Sequence, residues 1–310
     1  MTLRIGTRGS RLAMRQAEIL VEKLSSAFPD QDTKIVKIRT SGDAVGSDRT
    51  PKVQDKGMFV KEIDRALLDD RVDVAVHSMK DIPVERDEGI ALGAILERED
   101  PRDALITTDG CTLENIHSAA QVGTGSLRRR ALALYARSDL NIMDIRGNVD
   151  TRIEKVRSGE LDAVILAQAG ILRLRPEDVR TTVIPEDVIT PAAGQGAIGV
   201  EARADDDEIR SILERVDHFS SRQEVAAERC FLEGVGGGCQ VPIGVLARMS
   251  STVLRLQVAV ASPDGKWRID LAGEGSPDDG SGTASKLAKK LVSLGGLDLL
   301  KGTPQQQGGS

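Results

Sequence analysis

Aromatic side chains make up only 2% of this 310-residue chain, which has one Trp, one Tyr and four Phe. A core with so few rings must be filled by Val, Ile, Leu and Ala, a composition suited to parallel sheets covered by helices. Cysteine is almost as scarce. Cys111, Cys230 and Cys239 form no C-x-x-C pair, which argues against a disulfide scaffold and a cysteine zinc site. The three histidines, His77, His117 and His218, stand at no metal-ligand spacing to one another, and no metal is expected. No apolar run is long enough to span a bilayer. Residues 1–6 enter a strand-like segment without signal-peptide architecture, so a cytoplasmic setting is expected. Positive charge is not in excess either. The formal net charge of −6 argues against nucleic acid as a partner.

What is present is ordinary globular material, 40% hydrophobic and 29% charged. The length exceeds one ordinary core and suggests two or three domains. Two stretches read alike. Residues 3–6 predict a strand, 11–27 a helix, 34–38 a strand, 58–69 a helix and 72–76 a buried strand. The second stretch repeats that order over 121–123, 127–137, 141–145, 149–158 and 162–166. Each is a β-α-β-α-β unit, which predicts parallel pairing and right-handed crossovers. The echo is local too, with Gly6-Thr7-Arg8-Gly9-Ser10 against Gly123-Thr124-Gly125-Ser126.

A charged crossing, Glu97-Arg98-Glu99-Asp100-Pro101-Arg102-Asp103, separates the two stretches, and a return crossing falls near 191–196. A strand at 197–200 and a helix at 206–216 then rejoin the first part. A helix at 222–232, strands at 242–247, 253–260 and 267–271, and a helix at 284–294 make a small α+β region. The expected fold is α/β, with two such domains flanking a cleft and a small α+β domain after them. The expected boundaries are 1–96 with 197–214, then 97–196, then 215–302, with a disordered tail at 303–310. Residues 40–56 lack apolar periodicity and read as a mobile flap, with a plain disordered loop as the alternative.

Ser10 and Ser126 stand at predicted helix N-caps, where free N–H groups and the dipole attract anions; plain capping explains either site alone. Arg8, Arg11, Lys56, Arg128, Arg129, Arg130, Arg146, Arg152 and Arg173 fall at predicted loops and helix starts. Arginine suits bidentate carboxylate recognition. Three arginines in one first turn oppose the helix dipole, a conflict that a bound anion would relieve. A solvated helix face accounts for at least one of them. Lys80 and Asp81 follow the strand at 72–76, where parallel sheets place ligands. An acid there can protonate a reactant or stabilise a developing cation, its acidity set by burial and neighbouring cations; a turn or cap carboxylate explains Asp81 equally well in isolation. Gly236-Gly237-Gly238-Cys239 is compatible both with a tight turn holding a buried thiol and with a functional thiol given unusual room.

Taken together, His77-Ser78-Met79-Lys80-Asp81-Ile82-Pro83, Gly123-Thr124-Gly125-Ser126-Leu127-Arg128-Arg129, Arg146-Gly147-Asn148-Val149, Gly194-Gln195-Gly196-Ala197 and Gly238-Cys239-Gln240-Val241-Pro242-Ile243-Gly244 resemble the porphobilinogen deaminase (hydroxymethylbilane synthase) family. The resemblance implies a two-lobed, periplasmic-binding-protein-like pair of domains followed by a third. It implies a transferase of porphyrin and haem biosynthesis that joins four porphobilinogens head to tail, losing ammonia each time, and releases the linear tetrapyrrole with water. It implies that Cys239 holds a dipyrromethane cofactor through a thioether. By the same resemblance Asp81 is the catalytic residue, and Lys80, Asp81, Ser126, Arg128, Arg129, Arg146 and Gln195 hold the cofactor. Arg8, Ser10, Lys56, Phe59, Arg146, Arg152 and Arg173 bind substrate. A monomer without nucleic-acid or membrane partners is implied. The chain departs from the family at Gly125, where a second Ser is common, at Gln54-Asp55 and at Arg11. Two other readings stay open: a two-lobed carboxylate-binding protein, and a hydrolase using Cys239, His77 and Asp81. Nothing in the sequence puts His77 beside Cys239, which ranks the hydrolase last.

Overall fold

The computed structural model describes residues 2–40, 60–236 and 241–300. The chain divides into two compact units, Met1–Asp100 with Leu172–Leu174 and Gly194–Arg222, and Pro101–Ile171 with Arg175–Ala193 and Gln223–Ser310. The first unit opens with β1 (Leu3–Arg8), α1 (Arg11–Ala27), β2 (Thr33–Ile38), α2 (Lys61–Leu68), β3 (Val74–Ser78) and β4 (Ile90–Ile95). There follow β5 (Asp103–Thr107), β6 (Gln121–Gly123), α3 (Leu127–Ala136), β7 (Asn141–Met143), α4 (Val149–Arg157), β8 (Ala163–Ala167), α5 (Gln168–Leu174) and β9 (Arg180–Ile184). β10 (Ile198–Arg203) and α6 (Asp207–Glu214) return to the first unit. Next come α7 (Phe219–Gly234), β11 (Ile243–Met249), β12 (Leu254–Ala261), β13 (Arg268–Gly275), α8 (Gly280–Ser293) and α9 (Gly296–Leu300).

The repeat expected from the sequence is present. The first sheet has the order β2-β1-β3-β10-β4 and the second β7-β6-β8-β5-β9. In each, the first three strands pair in parallel. In each, a fourth strand is inserted antiparallel, β10 against β3 and β4, and β5 against β8 and β9. The antiparallel insertions are a feature that the β-α-β reading did not contain. The fold class is therefore α/β, with two matching five-stranded sheets and a small three-stranded antiparallel one, β11-β12-β13.

Side-chain burial explains why these segments fold as they do. α1 buries Gln16, Ala17, Leu20 and Leu24, one stripe at helical spacing, against the first sheet. The interior is aliphatic, as the composition requires. Phe231 is the one aromatic among the largest fully buried side chains of the described residues. In the second unit, Ala259 and Ala261 of β12 join the cluster of Leu105, Val122, Leu132 and Ile165, so the small sheet shares a core with the larger one. Gly265 lies at φ +71, and a Cβ there would sit 2.8 Å from the Tyr135 amide nitrogen at the end of α3. Among the described residues no helix is long and apolar enough to cross a membrane.

Candidate functional site

β3 is buried through His77 and ends at Ser78 in a 3-10 turn of Met79, Lys80 and Asp81. This is the carboxyl end of a strand parallel to β1, the end at which α/β sheets bind ligands. Gln16 Nε2 donates to Ser78 Oγ at 2.7 Å, and the Met79 amide donates to the Ala197 carbonyl at 3.0 Å. Met79 is buried, Lys80 half-buried and Asp81 exposed. Asp81 thus stands at an exposed tip. Among the described residues its side chain enters no hydrogen bond or ion pair.

The Gly194-Gln195-Gly196 motif lies against this turn. Gly194 has φ +70, and a Cβ would come within 3.1 Å of the Lys80 amide nitrogen and 2.9 Å of Met79 Cγ. Only glycine lets the backbone pass there without moving the turn. Gln195 is buried, and its carbonyl accepts from Arg98 Nε at 2.9 Å. The Gly196 carbonyl accepts from Arg173 Nη2 at 2.6 Å. Burial pushes the Arg173 guanidinium down to about 10, with Glu99 opposing, so it is charged at neutral pH. Arg8, half-buried, closes β1, and Ser10 caps α1 by accepting from the Ala13 amide at 3.3 Å. The capping reading of Ser10 is thus observed directly.

His77 is buried, with Nε2 3.5 Å from Glu201 Oε2 and outside hydrogen-bonding range of it. Burial, then the charges of Arg86 and Arg8, depress its pKa to about 3, and the imidazole is neutral. The unfolded chain takes up a proton below about pH 6.5 that the folded chain refuses, so stability is lost as pH falls through that value. Between about pH 6.5 and about pH 5 this one group is expected to cost roughly 2 kcal/mol. Urea titrations across that window should show the midpoint falling, and His77→Asn should flatten the profile. An equal pH slope in the variant would contradict the assignment. Asp64, His77 and Glu201 place one ligand atom each within 4.8 Å of one another, a grouping invisible in the spacing of histidines because it spans α2, β3 and β10. The Arg86 guanidinium already pairs with both carboxylates there.

In the second unit, Ser126 caps α3 by accepting from the Arg129 amide at 3.4 Å. Arg128 and Arg129 are buried, while Arg130 is exposed and donates to the Ile142 carbonyl at 3.0 Å. Asp103, the wholly buried first residue of β5, accepts from Arg128 Nη1 at 2.7 Å and from Arg129 Nε at 2.9 Å. Arg128 Nη1 also donates to the Thr190 carbonyl at 2.6 Å. Burial pulls the Arg128 pKa down, Asp103 resists, and Arg129 adds to the fall. The dipole conflict assigned in the sequence to a bound anion is therefore relieved in part by the protein's own Asp103. Gly125 has a local cause as well: a Cβ would lie 2.6 Å from the Ile145 carbonyl oxygen. Arg146 is exposed with Nη2 3.2 Å from Asp144, and half-buried Arg152 donates to the Gly147 carbonyl at 2.9 Å.

Arg8, Ser10, Lys80, Asp81, Gln195 and Arg173 thus belong to the first unit, and Ser126, Arg128, Arg129, Arg146 and Arg152 to the second. Cys239, Lys56 and Phe59 lie outside the described residues, as do residues 41–59 of the expected flap and the tail at 303–310. Cys111 and Cys230 are half-buried, and Cys111 packs against the cluster of Leu105, Val122 and Ile165. Comparison with known families gives residues 3–211 as a match to the porphobilinogen deaminase dipyrromethane cofactor-binding domain, and 222–293 as a match to the C-terminal domain of the same proteins. The chain belongs to the porphobilinogen deaminase family. It is 44% identical over 303 residues to the porphobilinogen deaminase of Pelotomaculum thermopropionicum, covering 98% of this chain and 97% of that one. It is 44% identical over 305 residues to that of Geobacter sulfurreducens, covering 98% and 96%. The periplasmic aliphatic sulphonate binding protein of Escherichia coli is a more distant match, at TM-score 0.41 and 13% identity over 75% of this chain and 70% of that one.

The donor set fits the family's cofactor, whose pyrroles carry acetate and propionate groups. Two buried guanidiniums share one carboxylate at a helix N-terminus, a setting that favours added negative charge. Sequence reasoning missed Asp103, which it had read as part of a crossing, and Thr190. Their signal would have been an acid opening an apolar run, Asp103-Ala104-Leu105-Ile106, since a buried carboxylate needs a cation.

Proposed function

We propose that this chain is a cytoplasmic, monomeric transferase without nucleic-acid or membrane partners. It condenses four porphobilinogens head to tail, losing one ammonia at each addition, and releases hydroxymethylbilane with water. One observation carries this reading: Cys239 follows three glycines in a chain whose residues 3–211 match the family's cofactor domain. Cys239 holds the dipyrromethane, and Lys80, Asp81, Ser126, Arg128, Arg129, Arg146 and Gln195 receive its polar groups. When bound, that group supplies the nucleophilic pyrrole carbon from which the chain is extended.

Asp81 accepts the N–H of the arriving pyrrole and balances the cation left on it as its amine departs as ammonia. Its exposed place at a strand's carboxyl end supports that role. Arg8, Ser10, Lys56, Arg146, Arg152 and Arg173 take the carboxylates of substrate and growing chain, and Phe59 stacks on a pyrrole. A growing polyanion also accounts for a net-acidic protein rich in arginine at its helix starts.

Intact mass of the denatured chain tests the reading. The expected result is an excess equal to two linked pyrroles, mapped to the peptide bearing Cys239. A bare mass that gains no adduct when porphobilinogen is added would instead mark a carboxylate-binding protein.

A further inference from the structure

We propose that Arg86 is a positioning residue for the turn that carries Lys80 and Asp81. The inference rests on the catalytic reading of Asp81 given above. Arg86 Nε and Nη2 donate to the two oxygens of Glu201, each at 2.7 Å. Its Nη1 and Nη2 donate to the two oxygens of Asp64 at 2.9 and 2.8 Å. One guanidinium therefore makes two bidentate pairs, with carboxylates from different elements, β10 and α2. A planar fork can do this and an ammonium cannot. Glu201 is 1% exposed, so its charge needs this partner near it.

The chain path gives the clamp its meaning. Ser78 pairs with Ile198 of β10, and the Met79 amide donates to Ala197, so the segment leaves the sheet from one foot on β10. It passes through Lys80, Asp81, the buried Ile82 and Pro83, and Arg86 brings it back to Glu201 on the same strand. The two feet, Ile198 and Glu201, are three residues apart on β10, roughly 10 Å along the strand. Along the chain Asp81 falls between Ser78 and Arg86, at an exposed tip without side-chain bonds of its own among the described residues. Buried Met79 and Ile82 pack over Gly199 of β10, Gly194 packs against Met79 and Lys80, and the Arg86 guanidinium anchors the returning end of the segment. The second pair ties that end to α2, the first described helix after residue 59.

Asp64 and Glu201 without Arg86 would face each other, beside neutral His77, around a hole of guanidinium shape. That makes chemical rescue the decisive test. In Arg86→Ala, purified with cofactor attached, kcat with porphobilinogen is expected to fall on the order of tenfold or more, with KM nearly unchanged. Low millimolar guanidinium ion should restore part of the lost kcat in this variant and none in the wild type, an effect that a general loss of fold would not show. Arg86→Lys keeps the charge but not the two forks, and should show reduced kcat at an unchanged melting temperature. If Arg86→Ala fails to fold, Arg86→Lys decides alone. Wild-type kcat in Arg86→Lys, or in Arg86→Ala without guanidinium, overturns the inference. An inactive wild type measured in parallel would instead overturn the catalytic reading on which it rests.

Discussion

Asp81→Asn is expected to fold as the wild type does and to lose turnover by a factor of roughly 10²–10⁴. Both halves of that expectation come from where the residue stands. Among the described residues its carboxylate has no hydrogen-bond or ion-pair partner, and it is exposed, so exchanging it for an isosteric amide should alter stability by less than about 0.5 kcal/mol. The chemistry assigned to it needs the charge. An amide can accept the pyrrole N–H but cannot balance the cation that ammonia leaves behind, nor take up a proton. The variant should therefore still bind porphobilinogen while its single-turnover rate collapses. Three readings separate the causes: melting temperature, substrate binding and rate. Wild-type turnover would remove Asp81 from the mechanism. Loss of turnover together with a large drop in melting temperature would mean that the carboxylate holds the turn, against the geometry described above.

How much of this was legible beforehand depended on the range of the interaction. Periodicity and caps act over a few residues, so α1 and β6 fall on the ranges expected, 11–27 and 121–123. Ser10 and Ser126 were readable as caps for the same reason. Repetition of the β-α-β-α-β order gave both parallel halves, whose pairing follows from chain chirality. β4, β5 and β9 were not anticipated. β5 begins inside a run of charged residues that masks its apolar Ala104-Leu105-Ile106. Their antiparallel pairing depends on partners far away in sequence, as β4 with β10 and β5 with Thr182 and Ile165. The polar interior was hidden for the same cause. Asp103 meets Arg128 across 25 residues and Arg86 meets Glu201 across 115, separations at which spacing carries no signal. Asp81, by contrast, was readable because its turn follows directly from a buried strand.

Asp103→Ala should destabilise the second unit by about 3–5 kcal/mol, the usual cost of breaking a buried ion pair by removing one partner. Asp103 is fully buried and faces Arg128 and Arg129, which are themselves only 4% and 5% exposed. Loss of the carboxylate leaves two guanidiniums side by side in a dry pocket at the positive end of α3, where the helix dipole adds to their repulsion. For a unit of this size the melting temperature should fall by roughly 10 °C. Asp103→Asn keeps an acceptor oxygen for one arginine but no charge, and should lie between the alanine variant and the wild type. The decisive comparison is the triple change Asp103→Leu, Arg128→Met, Arg129→Met. Replacing the whole cluster with apolar side chains should recover most of the stability, because a buried ion cluster gains little over a well-packed apolar one. It should recover none of the cofactor attachment or turnover, since both guanidiniums are gone. A triple variant as unstable as Asp103→Ala would show that the cluster is a structural keystone in its own right. Recovery of stability without function would mean that the chain keeps two buried arginines there for the anion they receive, with Asp103 as the group that lets the fold tolerate them.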